Sequence, residues 1–173
     1  MRILPLGLTL LLLASALPAQ RQADAPSEPG VVMLTGGTKS VPLKSSIPAS
    51  SGRFGIPSTK QYFIFAGPKA AIRTTSTMPV IQFEADPRLD EASDVYLFKF
   101  DMHSNRREIR VAKGNGGLAL FSIPRDHIIP TSLEEIGDGP NSTKRYRIKP
   151  TTPLRRGEYC LARSGDYYDF GVD

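Results

Sequence analysis

The segment VYLFKFD, residues 95–101, decides the fold class of this chain. Its aromatic residues occupy the second, fourth and sixth positions. A period of two places successive side chains on opposite faces, which is the pattern of a β-strand. The five residues 102–106 separate this segment from residues 107–111, where isoleucine and valine alternate with charged residues. The two segments and their short connection predict a β-hairpin.

The same alternation recurs along the chain in short segments. Residues 62–66 are apolar throughout, which favours a central strand covered on both faces. The other predicted strands are 31–34, 81–84, 118–121, 145–149, 158–162 and 167–172. Fifteen glycines and fifteen prolines interrupt the chain too often for long helices. About eight short strands with turn signals between them predict an all-β sandwich or barrel.

One helical turn is predicted in this all-β chain. Ser132 stands three residues before Glu135, the spacing of a capping box, and Gly137 ends the turn after Ile136. Residues 44–60 are rich in serine, glycine and proline, so we expect a long surface loop there.

The first nineteen residues predict a secretory signal peptide. Arg2 is followed by a short apolar run and then by small residues ending at Ala19, with Ala16 as a second possible cleavage point. The run is shorter than the roughly 20 residues of a membrane span, and no second apolar run follows. Residues 20–30 are polar and predict a disordered leader, which leaves 31–173 as one β-sandwich domain. The mature protein is expected to be secreted or periplasmic, without a transmembrane segment.

The segment LRRGEY, residues 154–159, resembles the tyrosine corner of immunoglobulin-like and fibronectin-type sandwiches. The resemblance implies that the Tyr159 hydroxyl bonds to upstream backbone, that Leu154 fills the corner and that Gly157 forms the turn. The pattern departs from that of antibodies, because Cys160 follows the tyrosine directly and the chain has no tryptophan. It implies a single immunoglobulin-like β-sandwich of about eight strands and says nothing of function. The whole chain also resembles small exported bacterial proteins of unassigned role.

Composition excludes several classes of function. The formal net charge is +5, one unit of which lies in the signal peptide, and the basic residues do not cluster on a predicted helix. Such a mild, dispersed charge argues against a nucleic-acid partner. The single cysteine, Cys160, cannot form an internal disulfide or contribute to a multi-cysteine metal site. We expect it to be a buried apolar residue.

Catalytic and metal-binding patterns are weak. The only histidines, His103 and His127, fall in predicted loops, where solvent exposure is expected. No serine lies in a Gly-x-Ser-x-Gly elbow or beside an evident base. The sequence therefore predicts no catalysis, no cofactor and no metal site. Two alternatives stay open: a small secreted hydrolase that brings a histidine beside a carboxylate or Cys160, and a periplasmic metal carrier using His103, His127 and Met102.

Basic residues provide the candidate binding surface. One group surrounds a predicted strand: Lys144, Arg145, Arg147, Lys149, Arg155 and Arg156. A second group follows the hairpin: Arg106, Arg107, Arg110 and Lys113. If the strands adjoin, the groups form one patch for an acidic envelope polymer, a lipid headgroup or an acidic protein. The competing interpretation is that the charges deter edge-to-edge aggregation.

These features predict an exported, non-catalytic binding or envelope-structural module whose oligomeric state is open. Sugar binding is a special case of that function. Because the chain has no tryptophan, Tyr167 or Phe54 would have to form the stacking platform.

Overall fold

The computed structural model describes residues 31–37, 39–54, 58–88, 95–115, 118–121 and 123–173. The predicted signal peptide and leader lie outside these residues. Within them the chain forms fifteen β-strands and no helix. The prediction of an all-β fold is therefore confirmed, whereas the expected number of about eight strands is too low.

Three five-stranded sheets contain all fifteen strands. Outer sheet A has the order β12-β13-β6-β1-β2, middle sheet B the order β11-β7-β14-β15-β5, and outer sheet C the order β10-β9-β4-β3 with β8 also paired to β9. Every pairing is antiparallel except the one between β15 and β5. The strands are β1 Val32–Gly36, β2 Lys39–Leu43, β3 Ala49–Phe54, β4 Ser58–Ala66, β5 Arg73–Thr74, β6 Val80–Ala85, β7 Val95–Lys99, β8 Asp101–Met102, β9 Arg106–Asn115, β10 Leu118–Phe121, β11 Ile128–Ile129, β12 Thr131–Asp138, β13 Lys144–Pro150, β14 Gly157–Arg163 and β15 Asp166–Val172.

Two hydrophobic cores separate the three sheets. The first core joins strands of sheets A and B, and its members include Val32, Leu34, Ile81, Phe83, Ile148, Leu161 and Phe170. The second core joins sheets B and C and contains Phe65, Phe98, Phe100, Ile109, Val111, Ile123 and Cys160. Sheet B is thus covered on both faces, and the molecule has three layers rather than the two of a simple sandwich.

Strand β7 shows how the alternation works in the middle layer. Val95 and Leu97 pack in the first core, while Phe98 and the adjoining Phe100 pack in the second. In β7, alternate side chains therefore lie in one core or in the other, rather than in a core or in solvent. The prediction that Cys160 is a buried apolar residue is also confirmed, since it is fully buried in the second core.

Strand β4 differs from its prediction as a strand covered on both faces. Phe65 is buried in the second core and Phe63 packs against it. Tyr62 and Ile64 lie on the opposite, outward face and are half-buried. Outward residues of the neighbouring strands cover them in part, so the apolar run does not mark a buried layer.

The predicted hairpin of residues 95–101 and 107–111 is wrong except at its tip, where β8 pairs with β9, because β7 pairs with β11 and β14 in the middle sheet.

The predicted helical turn is also wrong, and so is part of the predicted long loop. Ser132 and Glu135 lie in β12, which pairs with β13, and Gly137 lies at the register shift of that pairing with φ of 145°. A single helical turn has too few hydrogen bonds to compete with this ladder. In the segment 44–60, residues 49–54 form β3, whose pairing with β4 supplies backbone partners that a free loop lacks.

The corner at residues 154–159 has the local geometry that a tyrosine corner requires. The Tyr159 hydroxyl donates to the carbonyl oxygen of Arg155 at 2.6 Å. Leu154 is buried, and its N–H donates to the Thr77 carbonyl oxygen at 2.7 Å. A Cβ at Gly157 would lie 3.2 Å from Cε of Lys99 and 3.6 Å from the Tyr159 ring, so a larger residue would crowd this turn. The immunoglobulin-like classification stays a prediction.

Replacing Tyr159 by phenylalanine tests this corner. We expect the Tyr159→Phe variant to lose about 1 kcal/mol of unfolding free energy, because a partly buried hydrogen bond disappears and the Arg155 carbonyl loses a partner. Urea unfolding followed by circular dichroism measures this loss. Tyr146→Phe is the control, because its hydroxyl lies 3.5 Å from its acceptor, the Asp86 carbonyl oxygen. Equal effects in the two variants would contradict a specific role for the Tyr159 hydroxyl.

Candidate functional site

Three members of the first group of basic residues lie on the outward face of sheet A. Tyr146 and Ile148 of β13 point into the first core, so Arg145, Arg147 and Lys149 point outward as their alternation predicts. Strand β12 pairs with β13 along its whole length and brings carboxylates beside these basic residues, with Glu134 opposite Arg147 on the outer face.

These carboxylates compensate much of the positive charge. Lys144 Nζ lies 2.6 Å from Asp138 Oδ1 and 3.0 Å from Glu135 Oε1. Arg147 Nη1 lies 3.6 Å from Glu134 Oε2. The hydrogen bond with Asp138 raises the pKa of Lys144, and the same bond lowers the pKa of Asp138. The group therefore presents mixed charge, which weakens it as a site for a polyanion.

The last members of this group are exposed. Lys149 is the final outward residue of β13, and Arg155 and Arg156 follow Leu154 at the start of the corner. A hydrogen bond from Arg73 and, as a smaller contribution, the charge of Arg156 lower the pKa of the C-terminal residue Asp173. Of these exposed cations, Arg156 thus lies near the Asp173 carboxylate.

The second group of basic residues does not join the first. Strand β9 belongs to outer sheet C, whereas β13 belongs to outer sheet A, and the middle sheet lies between them. The outward faces of the two strands therefore point in opposite directions. The expectation that both groups form one patch is wrong, because it depended on the strands adjoining.

Arg107, a member of the second group, points into the molecule instead. It is buried, and its Nη1 lies 2.5 Å from Asp169 Oδ2 on the middle sheet. Its Nε and Nη2 donate to the carbonyl oxygens of Gly67 and Ala66. The guanidinium also lies 5.9 Å from the ring centroid of Phe65 and 5.4 Å from that of Phe100. This arginine connects two sheets and is unavailable to a ligand.

The other candidate catalytic residues are Cys160, which is enclosed in a core, and the two histidines, which lie apart. Burial raises the pKa of the Cys160 thiol well above its ordinary value, so it is a poor nucleophile. His103 Nε2 lies 3.1 Å from Glu108 Oε1, whereas His127 Nε2 lies 3.7 Å from Asp101 Oδ1. The two histidines therefore contact different carboxylates.

The exposure of the histidines agrees with expectation at only one position. The His103 side chain is 39% exposed, but that of His127 is 18% exposed, and its Nδ1 lies 2.8 Å from the Lys99 carbonyl oxygen. Met102 lies on β8 and is exposed. Among the residues that the structure describes, no three histidine, cysteine, aspartate or glutamate side chains gather as metal ligands would.

The outward face of sheet C contains a depression of about 270 Å³. It is lined by Ser51 of β3, Tyr62 and Ile64 of β4, and Arg106 and Glu108 of β9. The pairing explains this composition, since Ser51 lies opposite Tyr62 and Ile64 lies opposite Glu108. An aromatic ring and a branched aliphatic side chain thus meet a hydroxyl, a guanidinium and a carboxylate on one face.

The carboxylate of Glu108 is fixed from two sides. It is buried, and it receives a 2.8 Å hydrogen bond from Arg106 Nε on one oxygen and the 3.1 Å contact of His103 Nε2 on the other. Burial opposes ionisation, but the hydrogen bond and charge of Arg106 and the nearby His103 outweigh it, so the pKa of Glu108 falls below its ordinary value. An anion whose two oxygens each contact a side-chain nitrogen is preorganised.

Arg110 continues this outward row on β9. It lies directly opposite Tyr62 in the ladder and is half-buried. No carboxylate lies within 4.0 Å of its guanidinium in the described ranges, and its Nε is buried without a hydrogen-bond partner there. Arg110 thus adjoins Tyr62, which lines the depression, and has no carboxylate partner among the described residues.

Sequence reasoning identified Arg106 and Arg110 as basic residues but missed the site. The inward positions predicted for Ile109 and Val111 already implied that 106, 108 and 110 point outward. Nothing in the sequence indicated that His103 bends back to Glu108. The prediction of Tyr167 as a stacking platform for a sugar is wrong, because its ring packs edge-on against Phe63 at 5.1 Å between ring centroids. The side chain of Phe54 lies outside the described residues.

Comparison with known proteins supplied no relative. No family model, no curated protein and no solved structure matches the chain. In the described part of the chain, no helix has the length and apolar character needed to cross a membrane.

The pH dependence of stability tests the state of Glu108. A carboxylate whose pKa is lowered on folding stabilises the protein above its unfolded pKa, near 4.5, and this contribution disappears as the pH falls through the folded value. We expect Glu108→Gln to lower the unfolding free energy at pH 7 and to reduce its decline between pH 5 and acid. Chemical unfolding at a series of pH values measures this. A variant whose pH profile parallels that of the wild type would show that Glu108 is not held ionised.

Proposed function

We propose that this protein is an exported, non-catalytic binding module whose ligand site is the depression on sheet C. The single observation that carries the proposal is the buried Glu108 carboxylate, fixed between Arg106 and His103 beside Tyr62 and Ile64. An aromatic ring and an aliphatic side chain beside oriented polar groups are features that small-ligand sites share. Export rests on the sequence of residues 1–19.

A non-catalytic role is supported by the chemistry of the same residues. Both oxygens of Glu108 already contact side-chain nitrogens, those of Arg106 and His103, which lowers the pKa of Glu108 and makes it a weak general base. Cys160 is enclosed in the second core. An envelope-structural role without a soluble ligand belongs to the same proposal and differs only in the partner.

The experiment compares ligand stabilisation of two variants. The mature chain is screened by thermal unfolding against soluble polysaccharides and small organic acids, since a ligand that binds the folded state raises the unfolding midpoint. We expect at least one compound to stabilise the wild type and the Lys149→Gln control, which alters the opposite outer face, but not Tyr62→Ala. A compound that stabilises all three proteins equally would place the site elsewhere, and the absence of any stabilising compound would contradict the proposal.

A small secreted hydrolase is the second candidate, and the contact between His103 and Glu108 favours it. A histidine oriented by a carboxylate is an arrangement that enzymes use to activate a nucleophile. Turnover of ester substrates that His103→Gln abolishes would support this candidate over the binding module. Turnover that persists in the variant would come from a contaminant or another site. The metal-carrier alternative has no comparable support.

A further inference from the structure

The positive charge of Arg110, next to the depression, indicates the chemical class of the ligand. Arg106, Glu108 and Arg110 follow one another on the outward face of β9, about 7 Å apart at each step of two residues. The Nε of Arg106 donates a hydrogen bond to the Glu108 carboxylate. Arg110 has no carboxylate partner among the described residues, so its positive charge is not compensated there. A weakly hydrated, forked guanidinium of this kind binds carboxylates well.

The neighbours of Arg110 extend this cation into a row across three strands. Arg110 of β9 lies opposite Tyr62 of β4, and Tyr62 lies opposite Ser51 of β3. Adjacent strands lie about 4.8 Å apart, so a cation, an aromatic ring and a hydroxyl succeed one another over about 10 Å. Amphipathic rings bind well against such a surface, because tyrosine contacts their apolar faces while polar groups hold their edges.

Glu108 adds acceptors to this row. A carboxylate has about four acceptor positions, and the contacts of Glu108 with Arg106 and His103 leave others for hydroxyl donors. A ligand that uses all these groups has a ring, several hydroxyls and one acid. We infer that the site binds a sugar ring that carries a carboxylate, as in an acidic polysaccharide, with the carboxylate at Arg110, the ring at Tyr62 and hydroxyls at Glu108 and Ser51. This inference rests on the proposed function and names the ligand of the same site.

Calorimetry with a matched pair of oligosaccharides tests the inference. The probes are a trimer of galacturonic acid and its methyl ester, which has the same rings without the charges. We expect the acid to bind the wild type at least tenfold more tightly than the ester. Arg110→Gln should remove this difference, Tyr62→Ala should weaken both probes at least tenfold, and Lys149→Gln should bind like the wild type. Circular dichroism establishes that each variant is folded.

The outcomes separate the ligand class from the site. Equal binding of acid and ester, with loss of both in Tyr62→Ala, would overturn the acidic ligand and leave the proposed site intact. Binding that Tyr62→Ala does not weaken would overturn the site itself. No binding of the acid trimer to the wild type at millimolar concentration would overturn the inference. Arg110→Lys supplies a second readout, since a charge without the forked geometry should recover only part of the preference for the acid.

Discussion

Replacing either Leu97 or Phe98 by alanine is expected to destabilise the protein strongly, although the two residues are neighbours on one strand. Leu97 is 1% exposed in the first core and Phe98 is fully buried in the second. Truncation of buried leucine costs about 2–5 kcal/mol and truncation of buried phenylalanine about 3–5 kcal/mol, since each leaves a cavity as well as losing apolar contacts. Denaturant unfolding at constant pH measures both losses.

This pair of variants distinguishes three layers from two. In a two-layer sandwich, side chains adjacent in a strand point alternately to the core and to solvent, so one of the two substitutions would change the unfolding free energy by less than about 0.5 kcal/mol. Lys99→Ala is the control on the same strand, because this side chain is only half-buried. A small effect at either Leu97 or Phe98 would contradict a middle sheet that is covered on both faces.

The second large effect is expected from Arg107. Arg107→Leu removes the cation from a buried pair and leaves the Asp169 carboxylate, 12% exposed, without its charged partner. Breaking such a pair from one side costs about 3–5 kcal/mol, because the remaining charge stays desolvated. Ser46, whose Oγ donates to Asp169 Oδ1 at 2.5 Å, cannot supply the missing charge.

A double variant separates the pair from its packing. Replacing both partners, as in Arg107→Leu with Asp169→Asn, is expected to recover part of the loss, since no uncompensated charge remains. Unfolding free energies of the two single variants and the double variant form a thermodynamic cycle. Additive losses would show that the two side chains do not interact, which would contradict the buried connection between sheets B and C.

The alternation of apolar and polar residues predicted most of the strands, because it depends only on which face of the strand each side chain lies on. It missed β2, where Leu43 is the one buried residue, and β12, whose charged residues pair across to β13. A pattern of few apolar residues predicts a strand poorly when cross-strand ion pairs contribute to its pairing. Each of these strands lies at the edge of sheet A and pairs only with the strand next to it in sequence, β2 with β1 and β12 with β13.

The third layer could not be predicted because the middle sheet contains charged residues. Asp169 and Glu158 resemble solvent-facing positions in the sequence, yet Asp169 pairs with Arg107 and Glu158 pairs with Arg73 at 2.7 Å. Glu158 also accepts a 2.7 Å hydrogen bond from the Ala70 N–H. Such compensation makes a buried face resemble an exposed one until the partners are known.

Part of the candidate site could be predicted from the sequence. The outward positions of Arg106, Glu108 and Arg110 follow from alternation around Ile109. The depression also needs β4 beside β9 and the return of His103 toward Glu108, and neither can be derived from local pattern. Placement of the two basic groups on opposite faces depends wholly on the order of the sheets.

The distance between spin labels at positions 110 and 149 tests this layered arrangement most directly. Both residues are changed to cysteine, and Cys160 is fully buried and does not react in the folded protein. The arrangement places the labels on opposite outer faces, so we expect a separation of at least about 20 Å, two intersheet spacings of about 10 Å each. A separation below about 15 Å, less than two such spacings, would place both basic strands on one surface and contradict the account.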